Sequence, residues 1–158
     1  MKTEYWTDEY SAYQTLEIEI NEGHERVFYY FGTSEGSKQW FPELTFEDEA
    51  RPEKLLLELG DGTHDHMYIL DLIERKRLVF TWSAGDVSIE IVESEGDKTL
   101  VRFQERLPAA LGNIVEDFAG WYFQLENLKH IAETGELQEV GADALEERKK
   151  KVKEELGL

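Results

Sequence analysis

The 158-residue chain carries 35 acidic against 17 basic side chains, a formal charge of −18, with 41% hydrophobic and 12% aromatic residues. This is a globular composition with room for one core, and its acidity argues against phosphate backbones and anionic membrane surfaces as partners. With no cysteine there is no disulfide, thiolate nucleophile or thiolate-held metal, and with neither a membrane-length apolar run nor a basic-then-apolar leader the expected location is the cytoplasm.

Residues 13–20 alternate, with Leu16, Ile18 and Ile20 on one side and Glu17 and Glu19 on the other, which predicts a half-buried strand. Asn21-Glu22-Gly23 breaks it. Val27, Phe28 and Phe31 then recur at helical spacing over 24–31, and Gly32 is placed to cap that helix in the left-handed conformation. Ser34 opens a second short helix reaching Trp40, and Pro42 ends it. A meander follows, with strands expected at 44–49, 54–59, 66–73, 77–82, 87–94 and 99–107 and turn residues between them. Short turns pair such neighbours antiparallel. In the last two strands Val87, Ile89, Ile91, Val101 and Phe103 face one way.

Between Asn113 and Thr134 the apolar residues Ile114, Phe118, Trp121, Leu125, Leu128 and Ala132 are separated by four, three, four, three and four positions. They draw one stripe along a helix of roughly 33 Å, which has to be buried against the concave face of the sheet. The expected architecture is α+β: a curved antiparallel sheet of about seven strands around one long helix, forming one domain with its core at 13–134. Residues 135–158 make a charged helical tail whose thin stripe, Leu145, Val152 and Leu156, predicts loose packing or fraying.

Three segments carry a resemblance. Trp40-Phe41-Pro42 closes the second short helix, Arg77-Leu78-Val79-Phe80-Thr81-Trp82 forms one strand, and Gly120-Trp121 opens a run through Leu125 and Leu128 to Lys129. In this order they resemble the START-like (SRPBCC) superfamily, in the subgroup related to the C-terminal domain of the activator of the ninety-kilodalton heat-shock protein's ATPase. The resemblance covers about Thr15 to Glu133 and implies a helix-grip fold. It does not specify function, because the same scaffold hosts carriers, cyclases, hydrolases and co-chaperone modules.

A sheet curled around one helix leaves concave volume that only large side chains fill. The candidates to line a cavity there are Phe28, Phe31, Trp40, Phe41, Tyr68, Phe80, Trp82, Phe103, Phe118, Trp121, Tyr122 and Leu125. They either enclose a ligand or fill the space themselves. Gly120 costs its helix about 1 kcal/mol relative to alanine, and close approach of the helix to another element is the expected reason. Glu105 continues the inward period of Val101 and Phe103. Buried there, its carboxyl would have a raised pKa and could orient a ligand or exchange a proton, whereas at a strand end it would reach water. His64 and His66 could both face a zinc ion, but no third ligand is identifiable and a hairpin loop explains the segment. No serine is paired with a histidine, and no glycine-rich phosphate loop or other cofactor motif is found.

The leading expectation is therefore non-enzymatic binding of a small apolar, aromatic or lipid-like ligand between sheet and helix, with no cofactor. The alternatives are a heat-shock-ATPase interaction module, disfavoured by the lack of a separate docking domain, and a cavity enzyme of cyclase, dehydratase or hydrolase type using Glu105 with Tyr68 or Tyr122. Homodimerisation and a chaperone contact are both left open.

Overall fold

The computed structural model describes all residues, 1–158. Eight strands form one antiparallel sheet in the order β1-β2-β8-β7-β6-β5-β4-β3. They are β1 (Lys2–Thr7), β2 (Ser11–Ile20), β3 (Leu44–Phe46), β4 (Lys54–Glu58), β5 (His64–Ile73), β6 (Arg77–Trp82), β7 (Gly85–Glu95) and β8 (Lys98–Pro108). The helices are α1 (His24–Gly32), α2 (Ser34–Ser37), α3 (Ile114–Thr134) and α4 (Ala142–Leu156). After β2 the chain crosses through α1 and α2 to the far edge, then meanders back until β8 pairs with β2, placing Leu16 opposite Phe103 and Gln14 opposite Glu105.

The sheet has one strand more than expected. The additional strand is β1, which pairs with β2 from Lys2 opposite Glu17 to Thr7 opposite Ala12. Its residues are mostly exposed, so no apolar alternation marked it. Gly32 is not a left-handed cap. It remains within α1, where the Phe28 ring occupies the space a side chain would need, and Thr33 leaves the helix in an extended conformation. Thr33 also caps α2, its hydroxyl accepting from the Gly36 amide at 3.0 Å. His64 and His66 belong to β5 rather than to the preceding loop.

The stripe on α3 is buried as its spacing requires: Ile114, Phe118, Trp121, Leu125, Leu128 and Ala132 all lie inside. They enter two separate cores. Trp121, Leu125 and Leu128 join the larger, which takes residues from α1, the segment around Trp40 and the inner faces of β2 through β8. Ile114 and Phe118 join a smaller one with Ala12, Leu107, Val152 and Leu156. The tail helix is thus docked rather than loose. Arg148 supplies what its apolar residues lack: its guanidinium lies 3.8 Å from the Tyr122 ring centroid and 5.7 Å from that of Tyr5. Cation–π attraction and the buried arginine stem complete the stripe Arg148, Val152, Leu156.

Candidate functional site

The boundary between the two cores is polar. On β8 the inward residues run Phe103, Glu105, Leu107, from the large core to the small one, with Glu105 between them and only 2% exposed. On β2 Gln14 occupies the same level between Ala12 and Leu16. Gln14 Nε2 donates to Glu105 Oε1 at 3.0 Å and to the Phe118 carbonyl at 3.2 Å. On α3 Asp117 lies next to Phe118 and faces Glu105, while its Oδ2 accepts from Trp82 Nε1 at 2.9 Å. Burial, the hydrogen-bonding contact with Asp117 and the charge of Asp117 together push the Glu105 carboxyl well above its ordinary 4.5, with Gln14 opposing. Burial and the neighbouring carboxyl thus both favour the protonated form of Glu105.

Next to this layer the protein surface opens into a cleft of about 170 Å³ lined by Phe41, Trp82, Asp117, Gly120, Trp121 and Gln124. Its rings are tilted against one another: Trp82 and Trp121 have centroids 5.1 Å apart at 70°, Phe41 and Trp121 5.6 Å at 53°, and Phe41 and Trp82 6.4 Å at 75°. Behind Trp121, Phe103 and Phe80 close the core at 4.8 and 6.5 Å. Gly120 does not serve a close approach. A Cβ built there meets nothing within 4 Å, so its missing side chain leaves the cleft open. Three buried polar atoms of the lining residues have no hydrogen-bond partner: Asp117 Oδ1, Trp121 Nε1 and Gln124 Oε1. Glu105 Oε2, behind them, is likewise without a partner.

Of the expected cavity residues, only Phe41, Trp82 and Trp121 border this cleft. Phe80, Phe103 and Leu125 pack behind it, and Phe28, Phe31 and Trp40 are core residues on the α1 side, Trp40 donating to the Tyr30 carbonyl at 2.6 Å. Phe118 belongs to the small core. Two tyrosines do not converge on the group. Tyr68 is 56% exposed on β5, with Lys54 over its ring, because strand alternation turns it opposite to the buried Met67. Tyr122 is drawn to Arg148 and α4. The strand-end alternative for Glu105 fails as well, because Glu105 is only 2% exposed, enclosed beside Gln14 and Asp117. His64 and His66 are exposed, the latter 3.9 Å from Glu47, and no cluster of three His, Asp or Glu residues is placed to hold a metal.

Gln14, Asp117 and Gln124 were not anticipated. Carrying the period of Leu16 two residues back reaches Gln14, and one turn either side of Trp121 reaches Asp117 and Gln124. Their polarity had concealed them within an apolar pattern.

The sequence profile of the family described as "Activator of Hsp90 ATPase homolog 1-like protein" matches residues 23–133. The chain belongs to this family. Its fold recurs in solved relatives of the family's architecture. A conserved protein of unknown function, EF2215 from Enterococcus faecalis, is 25% identical and superposes with a TM-score of 0.86, covering 97% of this chain and 89% of that one. CalU16 from Micromonospora echinospora is 18% identical, with a TM-score of 0.72 over 95% and 92% of the two chains. The Aha1 dimer of Colwellia psychrerythraea is 18% identical, with a TM-score of 0.62 over 77% of this chain and 96% of its own. A comparison with functionally curated proteins finds no match. The matched segment includes the Trp40-Phe41 corner, the β6 strand and nearly all of α3, the elements that border the cleft. No helix is long and apolar enough to cross a membrane.

Proposed function

We propose that this protein binds a small ring-bearing ligand in the cleft bounded by Phe41, Trp82 and Trp121, without transforming it chemically. The observation that carries this reading is Gly120. A glycine inside a helix costs about 1 kcal/mol, which neighbouring packing usually explains; here its Cβ direction is empty and its position is at the mouth of an aromatic cleft. A side chain there would occupy the space a ligand needs. The volume, about 170 Å³, is on the order of the ~150 Å³ apolar cavities that accept one benzene ring. Trp121 Nε1 and Gln124 Oε1, a donor and an acceptor on two of the cleft's lining residues, are buried without a protein partner. The absence of a nucleophile–base pair and the outward placement of Tyr68 and Tyr122 favour binding over turnover.

The test is titration of the protein with 2-phenylethanol, followed through the four tryptophan indole N–H resonances in ¹H–¹⁵N NMR. The Trp82 and Trp121 signals are expected to shift saturably, those of Trp6 and Trp40 to stay, and Gly120→Leu to abolish the shifts while leaving the fold intact. Unmoved Trp82 and Trp121 signals, or equal shifts in Gly120→Leu, would refute the cleft as a ligand site. Docking on a heat-shock ATPase, which the family's description raises, makes no demand on this cleft and would leave Gly120→Leu without effect.

A further inference from the structure

The chemistry that the cleft selects, which rests on its reading as a ligand site, is set by the charges around it. Nine lysine or arginine ion pairs are formed across the molecule, and neither Asp117 nor Glu105 takes part in any of them. The only protein donors that reach this carboxyl pair are the Gln14 amide and the Trp82 indole, both neutral. A half-buried anion without a cation is costly, and the cost falls if a ligand supplies the positive charge. Asp117 lines the cleft, so that charge would arrive from the cleft side.

The remaining lining agrees. Gln124 Oε1 is a second buried acceptor lacking a donor, and it sits two helical turns from Asp117 on the same wall. Three tilted aromatic rings surround the space, an arrangement that attracts cations through their negative faces. Trp121, 98% buried by its 2% exposure, keeps one indole N–H unpartnered, which suits an oxygen or a water carried in with the ligand. No lysine or arginine lines the cleft, so a carboxylate or phosphate would find no counter-charge there. A chain of net charge −18 adds long-range attraction for a cation.

We propose that the cleft selects an organic cation: a primary or secondary ammonium on one aromatic ring or a short alkyl chain, its N–H groups donating to Asp117 and Gln124 while the rings of Phe41, Trp82 and Trp121 enclose the rest. Its carbon body replaces water over the aromatic walls, and its charge neutralises the Asp117 carboxylate.

Calorimetry or indole NMR with three probes of one size tests this: 2-phenylethylammonium, 2-phenylethanol and phenylacetate. The ammonium is expected to bind at least tenfold more tightly than the alcohol, and phenylacetate more weakly than either. Asp117→Asn should bring the ammonium down to the affinity of the alcohol and leave the alcohol within about twofold. Should that variant fold poorly, the ranking of the three probes on the unmodified protein decides by itself, with Gln124→Leu expected to weaken the ammonium severalfold more than the alcohol. Equal binding of ammonium and alcohol, or preference for phenylacetate, overturns the charge selection while the cleft stands as a ligand site. If none of the three perturbs Trp82 or Trp121, the ligand site itself is refuted.

Discussion

Two neighbouring residues of α3 make opposite contributions. Trp121 is 2% exposed and touches the rings of Phe41, Phe80, Trp82 and Phe103, so it ties the helix to the corner after α2 and to β6 and β8. Trp121→Ala is expected to destabilise the fold by about 3–5 kcal/mol, as removal of a large buried aromatic does; a denaturant midpoint equal to that of the unmodified protein would contradict this packing. Gly120 touches nothing with its Cβ direction, and its backbone is helical. Gly120→Ala is therefore expected to stabilise by up to about 1 kcal/mol, read as a higher denaturation midpoint. Gly36 and Gly85 differ, because there a Cβ would meet the Tyr29 and Arg106 carbonyls. A helix retaining a destabilising residue beside an opening is consistent with a surface shaped for binding at some expense of stability.

At the scale of elements, α4 is decisive, because it turns the end of the sheet into a second core. Its 15 residues carry a mean composition far too polar to be helical by burial of apolar groups alone. They dock because Arg148, Val152 and Leu156 fall on one face, with Arg148 wedged between Tyr122 and Tyr5 and donating to the Tyr5 hydroxyl. Val152 is fully buried against the group formed by Ala12, Leu107, Ile114 and Phe118. Val152→Asp would place an unpaired charge there and is expected to cost at least about 2 kcal/mol. Hydrogen exchange should then show α4 amides losing protection while α3 amides from Trp121 to Ile131 keep theirs. Equal loss in both helices would mean that the two cores unfold as one unit. The sequence showed α4 as a helix but not its dock, since counting apolar residues omits an arginine that packs through its stem.

Over the whole molecule, the polar layer of Gln14, Glu105, Asp117 and Trp82 separates one core from the other and links stability to pH. Because the folded state holds the Glu105 proton more tightly than the unfolded chain, its contribution to stability is complete below about 4.5 and is lost as the pH rises through the higher folded-state value. Glu105→Gln keeps the shape and a donor toward Asp117 without titrating. It is expected to flatten the decline of the thermal midpoint with rising pH and to be more stable than the unmodified protein above neutrality; parallel profiles would show that another group carries the dependence. Local periodicity in the sequence determined the order of elements, seven of the eight strands within a few residues, the α3 stripe and the inward direction of Glu105, because each depends on which side of its own strand or helix a residue occupies. The family's fold followed from three motifs in order. Only the tertiary structure decided that β1 joins the sheet, that α4 docks on a second core, that Tyr68 and Tyr122 turn away, and that Gly120 faces open space. Those outcomes depend on which elements meet and on how much volume is left between them, and a one-dimensional pattern of polarity does not encode either quantity.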